Sequence, residues 1–548
     1  MEPLQDAEPP SGGSGHCICV TDITMTSVAG REFELKLELT PEELQRVNEH
    51  PALRGLTVGE PTTRTLRSIY FDTPDQRLRA AGISLRLRFD GEKWQQTVKT
   101  EAGVTSGVSQ AIELEAGVQD AELDLEAIAD GRLRRNILRL TRGSLLEPVF
   151  ETVVTRTARR LHTDRGDLEL ALDEGVVRAG AAESALCEAE LELKSGAAEG
   201  LLQVAAKLFA DEAIRLARST KGERGYNLAL GRSEYGPRPV RAEGAQLAQG
   251  ATCRDAIAMF VESATRQILA NRTVVLETDD PEGAHQLRIG LRRLRSALNA
   301  FRPLHESQST HDMGRHARAL ARVVGELRDA DVLIDTVYAP VAGTIRRHPG
   351  LQPLKEALLA HRAQKRELAR AALRDRRWSA LQLYLALWPG AIEEEQSLDQ
   401  PVAGFASKAL SSAWKKVAKK GKRLDALDRE ERHEMRKSLK ALRYTLEFFE
   451  SLYKPGAARP FVKRLKELQD VFGYVNDVET ASALERISEE HCAESRDAQR
   501  AAGYAIGWHA ANATQSWDRA KRIWKDLRKS ALFWRETGYA RCQEPRRA

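Results

Sequence analysis

The sequence predicts a multidomain chain, an α+β half rich in antiparallel strands followed by an all-α half. Three observations carry this. The 548 residues are roughly three to four times a typical domain length, so more than one hydrophobic core is required. From about residue 31 to 194 apolar and polar residues mostly alternate with period two, the mark of half-buried strands. Beyond residue 250 the apolar spacing turns helical almost to the end, and one stretch of it occurs twice.

Composition excludes several classes. Charged residues make up 30% and hydrophobic ones 42%, and no apolar run approaches the roughly 20 residues that a membrane span needs, so a transmembrane role is excluded. Six cysteines (Cys17, Cys19, Cys187, Cys253, Cys492 and Cys542) lack paired CxxC spacing, which argues against a disulfide framework or a structural zinc site and fits a reducing cytoplasm. The net charge of +5 hides an asymmetry. Residues 1–249 hold 31 Lys and Arg against 40 Asp and Glu, or −9, whereas the remainder holds 53 against 39, or +14. A basic second half calls for a polyanionic partner, nucleic acid or polyphosphate.

Residues 1–30, rich in Gly, Ser and Pro and without a signal-peptide pattern, predict a disordered leader in which Met25 is a second plausible start. The first domain is expected over 31–232. It has strands at 32–39, 84–88, 112–115, 168–172 and 188–194, a helix at 41–48 after the capping residue Thr40, and another at 197–211. Pro237, Pro239 and four glycines within 231–250 mark a linker, placed at 233–249. The helical domain follows over 250–535, with amphipathic segments at 253–275, 285–301, 433–452 and 516–533, and a disordered tail over 536–548. Trp508, Trp517, Trp524 and Trp534, seven to ten residues apart, predict a packing seam rather than a nucleotide stack. His305, His311, His316 and His348 show no ligand grouping for zinc.

Strand alternation sorts charge onto one face. In the segment 32–39, Glu32, Glu34, Lys36 and Glu38 oppose Phe33, Leu35, Leu37 and Leu39; Arg86 and Arg88 oppose leucines; Glu188, Glu190 and Glu192 repeat the acidic row. One such strand would be an ordinary half-exposed one, but the pattern recurs. Like charges in rows repel, so a site that gathers them needs divalent cations for the carboxylates and an anion for the arginines and lysines. A metal-bound phosphate compound meets both demands, and a barrel with its polar face inward would make a tunnel for it.

These residues resemble the CYTH family, the triphosphate tunnel metalloenzymes. Glu32, Glu34 and Lys36 match its ExExK signature, 70–73 its Tyr-Phe-Asp-Thr element, and 85–88 its LRxR strand; 171–173, 188–196 and 219–226 resemble its closing elements. The resemblance implies that Glu32, Glu34, Glu190 and Glu192 hold Mg²⁺ or Mn²⁺, with Asp173 and Glu188 as weaker candidates. Lys36, Arg86, Arg88, Lys99, Arg156 and Lys221 would grip phosphate, and Glu32, Glu34 and Lys36 would be catalytic. Ala111 stands where relatives commonly carry an arginine, a departure that bears on affinity or preferred chain length.

The helical half contains a duplication. His285, Arg288, Arg292 and Arg295 recur 148 residues later as His433, Arg436, Lys440 and Arg443, and the same offset relates Phe301 to Phe449, Gly325 to Gly473 and Asp329 to Asp477. On a helix each set spans an arc of about 80°, a basic stripe. This half resembles the CHAD domain, most specifically at 285–295 and 327–331. That implies two four-helix bundles related by a pseudo-twofold axis, binding inorganic polyphosphate and often localised to polyphosphate granules. The stripes interleave few aromatic side chains, Tyr444 excepted, which argues against nucleic acid.

The function expected is a cytoplasmic, divalent-metal-dependent inorganic triphosphatase with a polyphosphate-binding helical domain. Two alternatives stay open: a non-catalytic polyphosphate-binding, granule-associated protein, and a tunnel enzyme acting on ATP, by hydrolysis or cyclisation, or on thiamine triphosphate.

Overall fold

A computed structural model describes residues 31–535 except 106–107, 197, 210–214, 218, 232–236, 346, 393–394 and 531. The expected leader, with Met25, and the expected tail lie outside the described residues. Eight antiparallel strands form the first domain: β1 (Arg31–Glu38), β2 (Thr57–Asp72), β3 (Ile83–Phe89), β4 (Trp94–Thr105), β5 (Val108–Val118), β6 (Glu147–Thr163), β7 (Gly166–Ala179) and β8 (Ala182–Gly196). They close into a barrel in the order β1-β5-β4-β3-β2-β6-β7-β8, with β1 paired to both β5 and β8. Closure leaves no edge strand to protect. Strands β2 and β6, at 16 and 17 residues, are not among the expected strands; 57–65 of β2 is a largely exposed, Thr-rich ribbon without an apolar face to mark it.

Five helices decorate the barrel: α1 (Pro41–Asn48), α2 (Arg77–Ala80), α3 (Gly131–Thr141), α4 (Ala198–Leu208) and α5 (Lys221–Ala229). Thr40 caps α1 as expected, in a capping box with Glu43. The outward faces of β1, β7 and β8, including Phe33, Leu35, Leu37, Leu170, Leu172 and Leu191, pack beneath Leu201, Val204 and Leu208 of α4. Alternation then aims the charged residues of the same strands into the barrel. Part of the interior is apolar instead, filled by Leu66, Tyr70, Phe150, Val154, Val177, Leu186 and Tyr226.

The second domain is helical: α6 (Cys253–Glu277), α7 (Pro281–Phe301), α8 (Gln308–Val332), α9 (Ala339–Thr344), α10 (Leu351–Arg374), α11 (Arg376–Ala391), α12 (Val402–Gly421), α13 (Arg429–Phe449), α14 (Pro455–Thr480), α15 (Ala483–His491) and α16 (Arg496–Lys529). A π-helical turn, Leu333–Tyr338, joins α8 to α9. The repeat counterparts Phe301 and Phe449 flank one ring, Phe260, at 6.0 and 5.5 Å between centroids, and α7 packs against α13. Trp517, Trp524 and Trp534 share one core cluster as expected, whereas Trp508 packs on a separate one with Leu354 and Leu358. Trp524 Nε1 donates to the Gly421 carbonyl at 2.8 Å, Trp534 Nε1 to Ser411 Oγ at 3.2 Å, and the Arg432 guanidinium lies 4.3 Å above Trp517.

The segment 237–249 carries no regular element, in keeping with a linker, yet it is docked. Asn271 pairs with both backbone groups of Val240, Ser451 Oγ accepts from Leu247 N, and Ala245 and Leu247 are buried. One apolar cluster therefore runs from Leu35 and Leu37 through Leu216 and Leu247 into Phe260 and Trp378. Cys187, Cys253 and Cys492 are free thiols, and among the described residues no helix is long and apolar enough to cross a membrane.

Candidate active site and anion cleft

A cavity of about 230 Å³ opens inside the barrel, and all six expected phosphate-gripping cations line it: Lys36, Arg86, Arg88, Lys99, Arg156 and Lys221. Glu34, Glu190 and Glu192 line the same space. Glu32 lies on β1 opposite Ala111 of β5; neither side chain is among those described.

The carboxylates divide into two groups. Glu190 is a hub, accepting from Arg156 at 2.6 Å, Lys36 at 2.7 Å and Lys221 at 2.8 Å. Burial alone would favour its neutral form, but the charges of Lys221, Lys36 and Arg156 hold it well below the usual carboxylate range. Asp173 accepts both ends of the Arg156 fork at 2.7 Å, and Glu188 accepts from Lys221 at 2.8 Å. Glu34 and Glu192 have fewer cations, Lys36 at 2.8 Å and Lys99 at 3.6 Å for Glu34 and Lys194 at 2.6 Å for Glu192, and they are directly opposite in the β1–β8 register. Burial pushes the Glu192 carboxyl up, and the Glu34 charge adds to that rise against the pull of Lys194. Opposed, desolvated oxygen donors of this kind suit a hard divalent cation, so the donor set fits Mg²⁺ or Mn²⁺.

The cations are sorted as well. Burial would lower Lys36, but Glu190 and Glu34 outweigh it and hold the ammonium above its ordinary value. Arg86 pairs with Glu113 at 2.8 Å, and Lys99 with Glu113 at 3.1 Å. Arg88 makes no ion pair among the described residues, its Nε donating only to Ser68 Oγ at 3.1 Å. Burial, then the charges of Arg86 and Arg156, pull Arg88 down to about 10. A desolvated guanidinium beside two others gains by taking an anion.

Local chemistry fixes these strands. Asp72, fully buried, accepts from the backbone N–H groups of Thr73, Leu78 and Arg79 and from the Tyr226 hydroxyl at 2.9 Å, so it ties the end of β2 to α5. Gly225 admits no side chain, since a Cβ there would sit 2.1 Å from the Phe150 ring. Thr220 caps α5 in a capping box with Glu223, which sets Lys221 at the helix N-terminus, facing the cavity.

In the helical domain the two basic stripes lie on α7 and α13. Arg288 donates to Asp329 at 2.8 Å and to the Gly325 carbonyl at 3.0 Å, and Arg443 pairs with Glu447 at 3.2 Å. Arg292, Arg295 and Lys440 make no ion pair among the described residues. Burial, then the charges of Arg292, Arg436, Arg288 and Arg443, depress the Lys440 ammonium to about 6, so both stripes share one electrostatic cleft. His285 is lowered by burial and by Arg328, whereas His433 is exposed.

Residues 30–226 match the family model of the CYTH domain, and residues 260–486 that of the CHAD domain. A CYTH domain precedes a CHAD domain in this chain. An inorganic triphosphatase from Haemophilus influenzae is 29% identical over 204 residues, which are 37% of this chain and 56% of that protein. The match thus spans just over half the length of that curated relative. Among solved structures, the CHAD domain from the plant Ricinus communis is 28% identical with a TM-score of 0.47, covering 54% of this chain and 98% of that one. A Hippeastrum protein whose structure is described as revealing a dominant triphosphatase activity is 22% identical with a TM-score of 0.26, over 35% and 94%.

Sequence reasoning gave no role to Glu113 and Glu115 of the CYTH domain, which also line the cavity. The signal was present, since 112–115 alternates and Lys99 is opposite Glu113 in the register. In the CHAD domain Arg328, within the 327–331 element, adds its charge to the first stripe, where it acts on His285.

Proposed function

We propose that the CYTH domain is a divalent-metal-dependent inorganic triphosphatase, hydrolysing triphosphate to diphosphate and phosphate. The CHAD domain binds inorganic polyphosphate and places the enzyme on it, including on cytoplasmic granules. The observation that carries the first part is the convergence of six cations and the opposed Glu34–Glu192 pair on one cavity.

Glu34 and Glu192, with Glu32 and Glu190, would hold Mg²⁺ or Mn²⁺; when bound, the metal supplies charge neutralisation and an acidified water. Arg88, with no carboxylate paired to it among the described residues, takes a phosphate group first. Lys36, Arg156 and Lys221 then exchange Glu190 for phosphate oxygens, which carry more charge per contact than one carboxylate. That exchange frees the Glu190 carboxylate inside the site. Positioned cations neutralise the transferring phosphoryl group and orient it for in-line attack by water. In the CHAD domain, Arg292, Arg295 and Lys440, which have no acidic partner among the described residues, form the core of the polyphosphate track, with His285, Arg288, His433, Arg436 and Arg443 around them.

Phosphate release from triphosphate, ATP, thiamine triphosphate and long polyphosphate, with Mg²⁺ and Mn²⁺ compared, tests the reading. Triphosphate should turn over at least about tenfold faster than the nucleotide or thiamine compounds, because the described lining of the cavity is mostly charged, with Tyr70 its single aromatic side chain. Release from none of the four would leave a binding protein.

A further inference from the structure

The apolar seam between α10 and α15 ends in two histidines. Leu354, Ala357 and Leu358 of α10 pack against Ala481, just before α15, and Leu484 and Ile487 on it. The next turn of each helix brings His361 and His491 to the same seam, since positions three and four apart share a helix face. Their rings meet edge to face, 6.3 Å between centroids. Glu490 adjoins them, and one donor atom from each of His361, Glu490 and His491 lies within 4.8 Å of the others.

Ordinary packing accounts poorly for His361. It is 7% exposed, and its buried Nδ1 has no hydrogen-bond partner. An orphaned imidazole nitrogen in a seam otherwise closed by leucine and alanine carries a desolvation cost that an apolar side chain would avoid. Burial, with Lys365, Arg486 and His491, also holds the ring toward its neutral form, the form that ligates metal. The neighbouring cations are neutralised locally: Lys365 by Glu326 at 3.0 Å and Arg486 by Glu490 at 2.9 Å. His491 is the last residue of α15, where the helix carbonyls favour a cation.

We propose that His361, His491 and Glu490 form a Zn²⁺ site that pins α10 to α15, and so one half of the duplicated domain to the other. Two imidazoles and a carboxylate are a zinc donor set, with water completing a tetrahedron. Ligands at zinc bonding distance stand about 3.4 Å apart, so the exposed Glu490 and His491 close inward by rotamer change around the fixed His361.

Zn²⁺ titration of the full-length protein by calorimetry, in saturating Mg²⁺ to fill oxygen-donor sites, tests this. Wild type and Glu34→Gln should both bind one Zn²⁺ that His361→Asn and His491→Asn lose, with at least about a hundredfold weaker binding in each. Zn²⁺ should raise the melting temperature of wild type and not of His491→Asn. Since His361 is buried and its variant could misfold, the exposed His491 decides. Wild-type Zn²⁺ stoichiometry and affinity in His491→Asn, or no Zn²⁺ bound by wild type, overturns the site.

Discussion

Arg292 and Lys440 occupy equivalent positions in the two repeats, and the charge of the first helps strip the proton from the second. With its folded value depressed to about 6, Lys440 is mostly neutral at pH 7 in the free protein. A polyanion laid on the stripe restores the charged form, so binding takes up a proton. Affinity for polyphosphate should be greatest below pH 6 and fall as pH rises above it, by up to about tenfold per unit. Calorimetry in buffers of different ionisation enthalpy measures the uptake directly. Lys440→Arg keeps its charge throughout and should abolish the uptake above pH 7, where His285, held below its ordinary value by burial and Arg328, does not contribute. Equal uptake in that variant would refute the role of Lys440.

Glu34 faces Glu192 across two paired strands and also neutralises Lys36 at 2.8 Å. Glu34→Gln should lower triphosphate turnover by about a hundredfold or more while the barrel stays folded by circular dichroism, and Glu32→Gln should behave alike. Wild-type rates in either variant would remove that residue from the site.

Arg88 and Arg156 separate binding from stability. Arg88 is desolvated and makes no ion pair among the described residues, so Arg88→Ala should raise the KM for triphosphate about tenfold or more and leave the melting temperature unchanged or higher. Arg156 bridges Asp173 and Glu190, and Arg156→Ala leaves two buried carboxylates short of charge. That variant should lose about 3 kcal/mol of stability, measured by denaturant unfolding, as well as activity.

Much of this was legible in the sequence, and the residues show why. Alternation at 32–39, 84–88 and 188–194 placed charge inside and leucine outside, because a strand's side-chain period is two whatever surrounds it. The offset of 148 announced that α7 and α13 are related, and Phe301 and Phe449 do flank one phenylalanine. What period could not convey was partnership. Glu190 carries the same alternation signal as Glu192, yet one is saturated by three cations while the other holds Lys194 and faces Glu34; strand order decides that, and β1 meets β8 only by closing a barrel. Helix α3 escaped notice because its charge masks its apolar stripe, although Asp130 caps it and Ile137 is buried.

Gly225 is a packing requirement with a simple test. Gly225→Ala sets a methyl group against the Phe150 ring, which itself stacks on Tyr70 at 4.4 Å, so the ring cannot yield without moving a cavity residue. A loss of about 1–3 kcal/mol and a fall in melting temperature of several degrees are expected. Phe150→Leu in the same chain should recover part of it.

Polyphosphate and nucleic acid both bind through counterion release, so salt dependence alone does not tell them apart. Comparison at matched charge and ionic strength does, because a chain without bases needs only the cations of the cleft. The full-length protein is the proper sample, since Leu216 and Leu247 bury apolar surface continuous with Phe260 and Trp378, and an isolated 250–535 fragment would expose it. Long-chain polyphosphate should bind more tightly than DNA or RNA. Replacing Arg288, Arg292, Arg436 and Lys440 together by alanine should remove most of that binding and flatten its salt dependence by up to about four counterions' worth, fewer if Lys440 binds neutral. Triphosphate hydrolysis should persist, because none of the four lines the barrel cavity. Tighter binding to nucleic acid, or polyphosphate binding unchanged in the quadruple variant, would show that the paired stripes serve another purpose.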